Sequence, residues 1–67
     1  MSKRTTQNQL NAVRTRKLLT QQELAKRSGV SQVTISHIET GSNKPMALTK
    51  EKLAQALETP VEEVFPS

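Results

Sequence analysis

The chain has 67 residues, no cysteine, a single aromatic side chain and a formal net charge of +4 at neutral pH. That length suits one small domain, able to bury roughly 60% of its unfolded surface, with no room for a second, ligand-sensing unit. The missing cysteines exclude disulfides and thiolate metal sites; no apolar run approaches the about 18 residues of a membrane span, and the polar start MSKRTTQNQ lacks a signal peptide's apolar stretch, so a cytoplasmic protein is expected.

Charge is distributed unevenly along the chain. Residues 1–28 carry Lys3, Arg4, Arg14, Arg16, Lys17, Lys26 and Arg27 against Glu23 alone, whereas residues 29–67 carry Lys44, Lys50 and Lys52 against Glu39, Glu51, Glu58, Glu62 and Glu63. An electropositive half is the footprint of a polyanion binder, and nucleic acid is the polyanion expected.

Residues 1–5 show no apolar periodicity and are expected to be loose. From Thr6, with Gln9 three residues on, a first helix is predicted to about Lys17, with Leu10 and Val13 inward and Arg14, Arg16 and Lys17 on its other faces. The stretch 20–41, TQQELAKRSGVSQVTISHIETG, holds two successive helix starts. Thr20 caps the first, Glu23 completes a capping box, and Leu19 and Leu24 stand as a hydrophobic staple, so this helix begins at Gln21 and ends at Gly29. Ser31 caps the next, with Val30 and Ile35 in the staple positions, giving a helix from Gln32 to about Thr40 that Gly41 terminates. Two short helices joined by such a turn constitute a helix-turn-helix.

Helical spacing divides the second of these helices into two faces. Ile35 and Ile38 point inward with Glu39 beside them; Val33, Ser36, His37 and Thr40 lie opposite, with Gln32 projecting from the first turn. A face that needed only to be soluble would carry Lys and Glu. Gln, Val, Ser and His suit a surface to be read, since Gln can bond adenine through two hydrogen bonds and Val methyls can pack on a thymine methyl. His37 and Glu39, two residues apart, diverge on the helix and cannot share a metal.

The loop SNKP follows, with Pro45 at its end. Leu48 and Leu53 about Thr49 read as a further staple, predicting a helix from Lys50 through Ala54 to Leu57. Thr59 as cap, Pro60 at the first helical position and Glu62 in a capping box predict a last short helix containing Val61, Val64 and Phe65 and ending at Pro66. Phe65 suits either a core plug or a dimer face. So short a helix cannot bury both its sides within the domain and should leave apolar surface for a partner, making Val61, Val64 and Phe65 the expected dimer residues.

The pattern TQxELA, GV, SQxTIxxIExG, Pro45 and a late LAxAL resembles the lambdoid-phage repressor and Cro family of DNA-binding domains, the XRE family, from about Leu10 to Phe65. The resemblance implies an all-α fold, a compact five-helix domain over residues 1–67, and a homodimer on pseudo-palindromic double-stranded DNA with the third helix in the major groove. Gln32, Val33, Ser36 and His37 are then expected at the bases, and Arg14, Gln21, Ser31, Thr40, Ser42, Asn43 and Lys44 at phosphates. For Gln21 the physical attraction is the positive end of a helix. The resemblance further implies that Arg14 pairs with Glu39, whose inward carboxylate would be costly to bury alone. At Lys50 the chain departs from the family, which usually has an apolar residue there.

No Asp, Tyr or Trp, one His and no phosphate-cradling glycine loop argue against an enzyme, and no cofactor, metal, membrane or small-molecule ligand is expected. A sequence-specific transcriptional regulator, expected to repress, is therefore the reading of the chain. The competing class is an antitoxin or other protein-interaction module of the same fold, which often carries an extra segment for its partner; none is evident here.

Overall fold

The computed structural model describes residues 8–66, so the loose segment expected at residues 1–5, the Thr6 cap, and Lys3 and Arg4 lie outside the described residues. Five helices and no strand are found in that range: α1 Leu10–Arg16, α2 Gln21–Ser28, α3 Gln32–Thr40, α4 Ala47–Ala56 and α5 Val61–Val64. The expected all-α, five-helix architecture is the architecture found.

The ends of α2 and α3 follow from local chemistry. Glu23 N–H donates to Thr20 Oγ1 at 3.0 Å while Thr20 N–H donates to Glu23 Oε1 at 2.8 Å, so two otherwise free backbone donors are satisfied reciprocally. That backbone hydrogen bond from Thr20 holds the Glu23 carboxyl below its ordinary range. Ser31 Oγ accepts from Thr34 N–H at 3.1 Å and donates to Thr34 Oγ1 at 2.8 Å. Gly29 (φ 77°) and Gly41 (φ 85°) turn left-handed to close the two helices, which L side chains do only at a cost.

Elsewhere three helix limits differ from those predicted. Within the described residues α1 begins at Leu10, and its first turn is served by Asn8, whose Oδ1 accepts from Leu10 N–H at 3.0 Å. The fourth helix starts at Ala47, not Lys50, with Met46 as an extended N-cap that offers no side-chain hydrogen bond. Ala47 and Leu48 are strong helix formers, so the helix runs back to the residue after Met46, and Leu48 turns toward solvent instead of stapling Leu53. Thr59 does not cap the fifth helix. Its N–H bonds Ala54 C=O at 3.1 Å and its hydroxyl bonds Leu57 C=O at 2.9 Å, so Thr59 is used to finish α4, and Pro60 takes the cap position with no capping box.

Leu10, Val13, Leu24, Val30, Ile35, Ile38, Leu53, Ala54, Leu57, Val64 and Phe65 form one core. At its centre α2 packs against both α3 and α4, α5 covers α4, and α1 lies against α3. Gln9 N–H donates to Val64 C=O at 2.7 Å, fastening the start of α1 to α5. Phe65 is buried, and the Lys50 Nζ stands 5.9 Å from the centre of its ring. A half-buried lysine can lay its methylene stem on apolar surface and its charge over an aromatic face, which accounts for a cation where the family usually has an apolar residue.

The end of α1 is closed by Leu18 at φ 62°, with Leu19 N–H bonded to Arg14 C=O and Leu18 N–H to Thr15 C=O. A leucine held left-handed costs about 1 kcal/mol or more relative to glycine. With its side chain 88% exposed, Leu18 has little burial to offset that cost. Leu18→Gly should raise stability by about 0.5 kcal/mol after allowing for the freer unfolded chain, and melting by about 2–4 °C. A thermal melt that falls instead would mean that the Leu18 side chain makes a stabilising contact.

Candidate nucleic-acid interface

Burial of Ile35 and Ile38 sets the rotation of α3, and on the opposite side Gln32, Val33, His37 and Thr40 are exposed while Ser36 is half-buried. At the carboxyl end, the Thr40 hydroxyl donates to His37 C=O at 3.1 Å and lies 2.9 Å from the Ser42 hydroxyl, whose own distance to that carbonyl is 3.3 Å. Both hydroxyls add to a carbonyl that the Ser42 N–H already bonds at 2.9 Å. Asn43 and Lys44 continue the exposed loop beyond them, and Ser31 is exposed at the opposite end of α3.

Beneath α3 lies a polar cluster centred on Glu39. Arg14 Nε donates to Glu39 Oε2 at 2.6 Å, and Arg14 NH2 to Oε1 at 3.1 Å, with the two side chains 13% and 6% exposed. Gln21 Nε2 donates to Oε1 at 2.9 Å and Asn11 Nδ2 to the same oxygen at 3.1 Å. The third guanidinium contact, from Arg14 NH1, goes to Leu19 C=O at 2.8 Å. Four elements meet here: α1, the turn after it, the first residue of α2, and the last turn of α3. Burial alone would push the Glu39 carboxyl up, but the hydrogen bonds from Arg14, Gln21 and Asn11, with the Arg14 charge, hold it below its ordinary range.

Arg14 and Gln21 are thus brought together with Glu39, apart from the exposed row on α3. Among the described residues, three of the five guanidinium N–H groups are engaged, leaving two, and Gln21 keeps one amide N–H. Val64 and Phe65 are buried in the core and Val61 is half-buried, so α5 has little apolar surface to present. The expectation of a free apolar face there is corrected: α5 lies along α4 with both its large side chains inward, and Phe65 is a core plug.

Two participants escaped the sequence reading. Asn11 lies three residues before Arg14, on the same helical face, and that spacing was the available signal. Asn8 Nδ2 donates to Ile38 C=O at 3.1 Å, across 30 residues of sequence. No local pattern announces such a bond.

A helix closed by Gly29, a short turn and a second helix with one buried and one open polar face define a helix-turn-helix module of the kind that enters a DNA groove. The model of the helix-turn-helix family matches residues 10–64, and the chain belongs to that family, in its XRE type. It is a DNA-binding transcriptional regulator. Among solved structures it is similar to the restriction-modification controller protein C.AhdI from Aeromonas hydrophila, at 33% identity and a TM-score of 0.82, covering 85% of this chain and 86% of that one. No curated protein matches it.

Arg14→Ala would leave the Glu39 carboxylate buried without its cation, and unfolding measurements should show a loss of up to about 3–5 kcal/mol at neutral pH. Because the Glu39 carboxyl titrates low in the native protein, the stability it confers is present above the ordinary carboxylate range and is lost as pH falls through the native value. The gap between wild type and Arg14→Ala should therefore narrow in acid. A gap independent of pH would mean that charge is not its source.

Proposed function

We propose that the protein is a repressor that binds a pseudo-palindromic operator as a homodimer, with α3 lying in the major groove. The observation that carries this reading is the open face of α3, where Gln32, Val33, His37 and Thr40 stand exposed on a helix whose other side is locked by Ile35 and Ile38. Gln32, Val33, Ser36 and His37 meet base edges; Val33 supplies an apolar contact suited to a thymine methyl and Gln32 a paired donor and acceptor suited to adenine. Ser31, Thr40, Ser42, Asn43 and Lys44 meet phosphate at the two ends of the helix.

Arg14 and Gln21 reach the backbone with the donors their bonds to Glu39 and Leu19 leave free, and the amino end of α2 adds its amides and dipole. Arg16, Lys17, Lys26 and Arg27, all exposed, add field without contact. Similarity to a restriction-modification controller supports a role in regulating genes, and makes restriction-modification genes a natural first target to test.

Selection of bound duplexes from a random pool tests the reading directly. An inverted repeat with half-sites about one helical turn apart is expected, and recovery of no shared sequence would refute it. If the two subunits together neutralise about 6–10 phosphates, affinity should drop by roughly 10³–10⁵ between 50 and 200 mM salt. A flat salt response in a binding titration excludes phosphate contact as the main source of affinity.

Gln32→Ala should cost about 1–3 kcal/mol per half-site and relax preference at one base pair, whereas Lys44→Ala should weaken all sequences alike and lower the salt slope. Selectivity profiles measured for both variants on a panel of single-base changes decide this. Two identical profiles would mean that reading and positioning are not divided between these residues.

A further inference from the structure

With Val64 and Phe65 turned into the core, the homodimer reading directs attention to another face, and the described residues leave few apolar side chains exposed for it. The large ones that are exposed are Leu18, Val33, Met46 and Leu48. Val33 belongs to the reading face and Leu18 stands alone at the end of α1. Leu48, 62% exposed, lies in the first turn of α4, whereas Met46, the extended cap before that helix, falls by helical position on the side of Leu53 and Leu57.

Along the helix from Leu48, at spacings of three, four and seven, come Glu51, Lys52 and Gln55, all exposed. This strip is the outer face of α4; Leu53, Ala54 and Leu57 face the core. Among the described residues the sole ion pair is that of Arg14 with Glu39, so neither Glu51 nor Lys52 is paired among them.

The strip is complementary to itself. In an antiparallel pairing of α4 with α4 of a second copy, with the two-fold axis between positions 51 and 52, each Glu51 faces Lys52 of the other copy and each Leu48 packs on the stem of Gln55. A two-fold contact requires that kind of self-matching sequence, in which residue i meets j and j meets i. We propose that the outer face of α4, formed by Leu48, Glu51, Lys52 and Gln55, is the surface through which two copies of this chain associate. The proposal rests on the homodimer reading above and names its surface. One ten-residue helix per subunit covers less than the about 1,200 Å² of a standard interface, so the association is weak in free solution and is completed when two copies share one duplex.

Sedimentation equilibrium on the protein without DNA, up to about 1 mM, tests the surface separately from DNA binding. Glu51→Lys sets a new cation against the other copy's Lys52 twice, converting two attractions into two repulsions; Lys52→Glu does the same with opposite sign. Each variant removes two attractions and adds two repulsions, so either variant alone should weaken association about tenfold. An equimolar mixture of the two variants restores both pairs and should associate as wild type does, as should the double variant E51K/K52E.

Melting curves confirm that each variant folds. Association by single variants as strong as wild type, no recovery in the mixture, or a wild type monomeric throughout the range would each overturn the proposal. The same variants should keep wild-type affinity for a duplex carrying one half-site and lose only cooperative binding to the inverted repeat. Failure of wild type to select any sequence would instead discredit the operator reading and leave the sedimentation result to judge the surface.

Discussion

The fold turns on one buried carboxylate. Glu39 stands in the last turn of α3, at the negative end of that helix and next to two buried isoleucines, a position where dipole and desolvation both oppose a negative charge. It is tolerable only because Arg14, Gln21 and Asn11 converge on it from two other helices, and because Arg14 also bonds Leu19 C=O in the turn between them. A salt bridge so placed contributes little net stability, but its geometry admits only one arrangement of α1 and α2 about the end of α3. Helix α3 is therefore held by directional polar bonds on its carboxyl side, where apolar packing alone would leave its rotation less defined.

The remaining helix ends are settled by the same need to satisfy backbone groups in a domain with little core. Thr20 and Glu23 serve the start of α2, Ser31 and Thr34 the start of α3, and Asn8, Thr40 and Ser42 the carbonyls at the end of α3. Each such bond contributes on the order of 1 kcal/mol, and net stabilities of small domains are themselves only about 5–15 kcal/mol. Polar side chains thus supply order that the eleven buried core residues among those described could not supply by area alone.

How much of this was legible depends on how far each signal reaches along the chain. The limits of α2 and α3 were readable because cap, box and terminating glycine all lie within four residues of the backbone groups they serve. The limits of α4 and α5 were not. Thr59 offers the same hydroxyl to two helices, and only the left-handed Glu58 before it (φ 53°), which returns the chain onto Ala54 and Leu57, decides that it serves α4. Thr49 likewise looks like a cap, but a cap signal inside a run that already favours helix does not stop the helix. Glu39's inward position was readable from periodicity and its partner Arg14 from the family pattern; Asn8 and Asn11 were not found, because their partners lie 30 and 28 residues away. The apolar spacing of Val61, Val64 and Phe65 was visible too, yet periodicity states which residues share a face and not whether a neighbour in the same chain covers it.

Under the proposed function, the Glu39 cluster would also bear on how the protein meets DNA. Arg14 has two guanidinium N–H groups left after its internal bonds, and those bonds fix the guanidinium plane before any phosphate arrives. An arginine held this way loses little side-chain freedom on contact, so more of each charge-assisted bond remains as affinity than for a free surface lysine such as Lys44. The coupling runs in the other direction as well. A phosphate that drew on Arg14 and on the amide of Gln21, as proposed, would take its hold on groups that already tie α1 and α2 to α3, and any ligand that prefers the native state stabilises it by mass action. Bound to its operator, a domain this small would be stabilised through the same atoms that orient its reading helix.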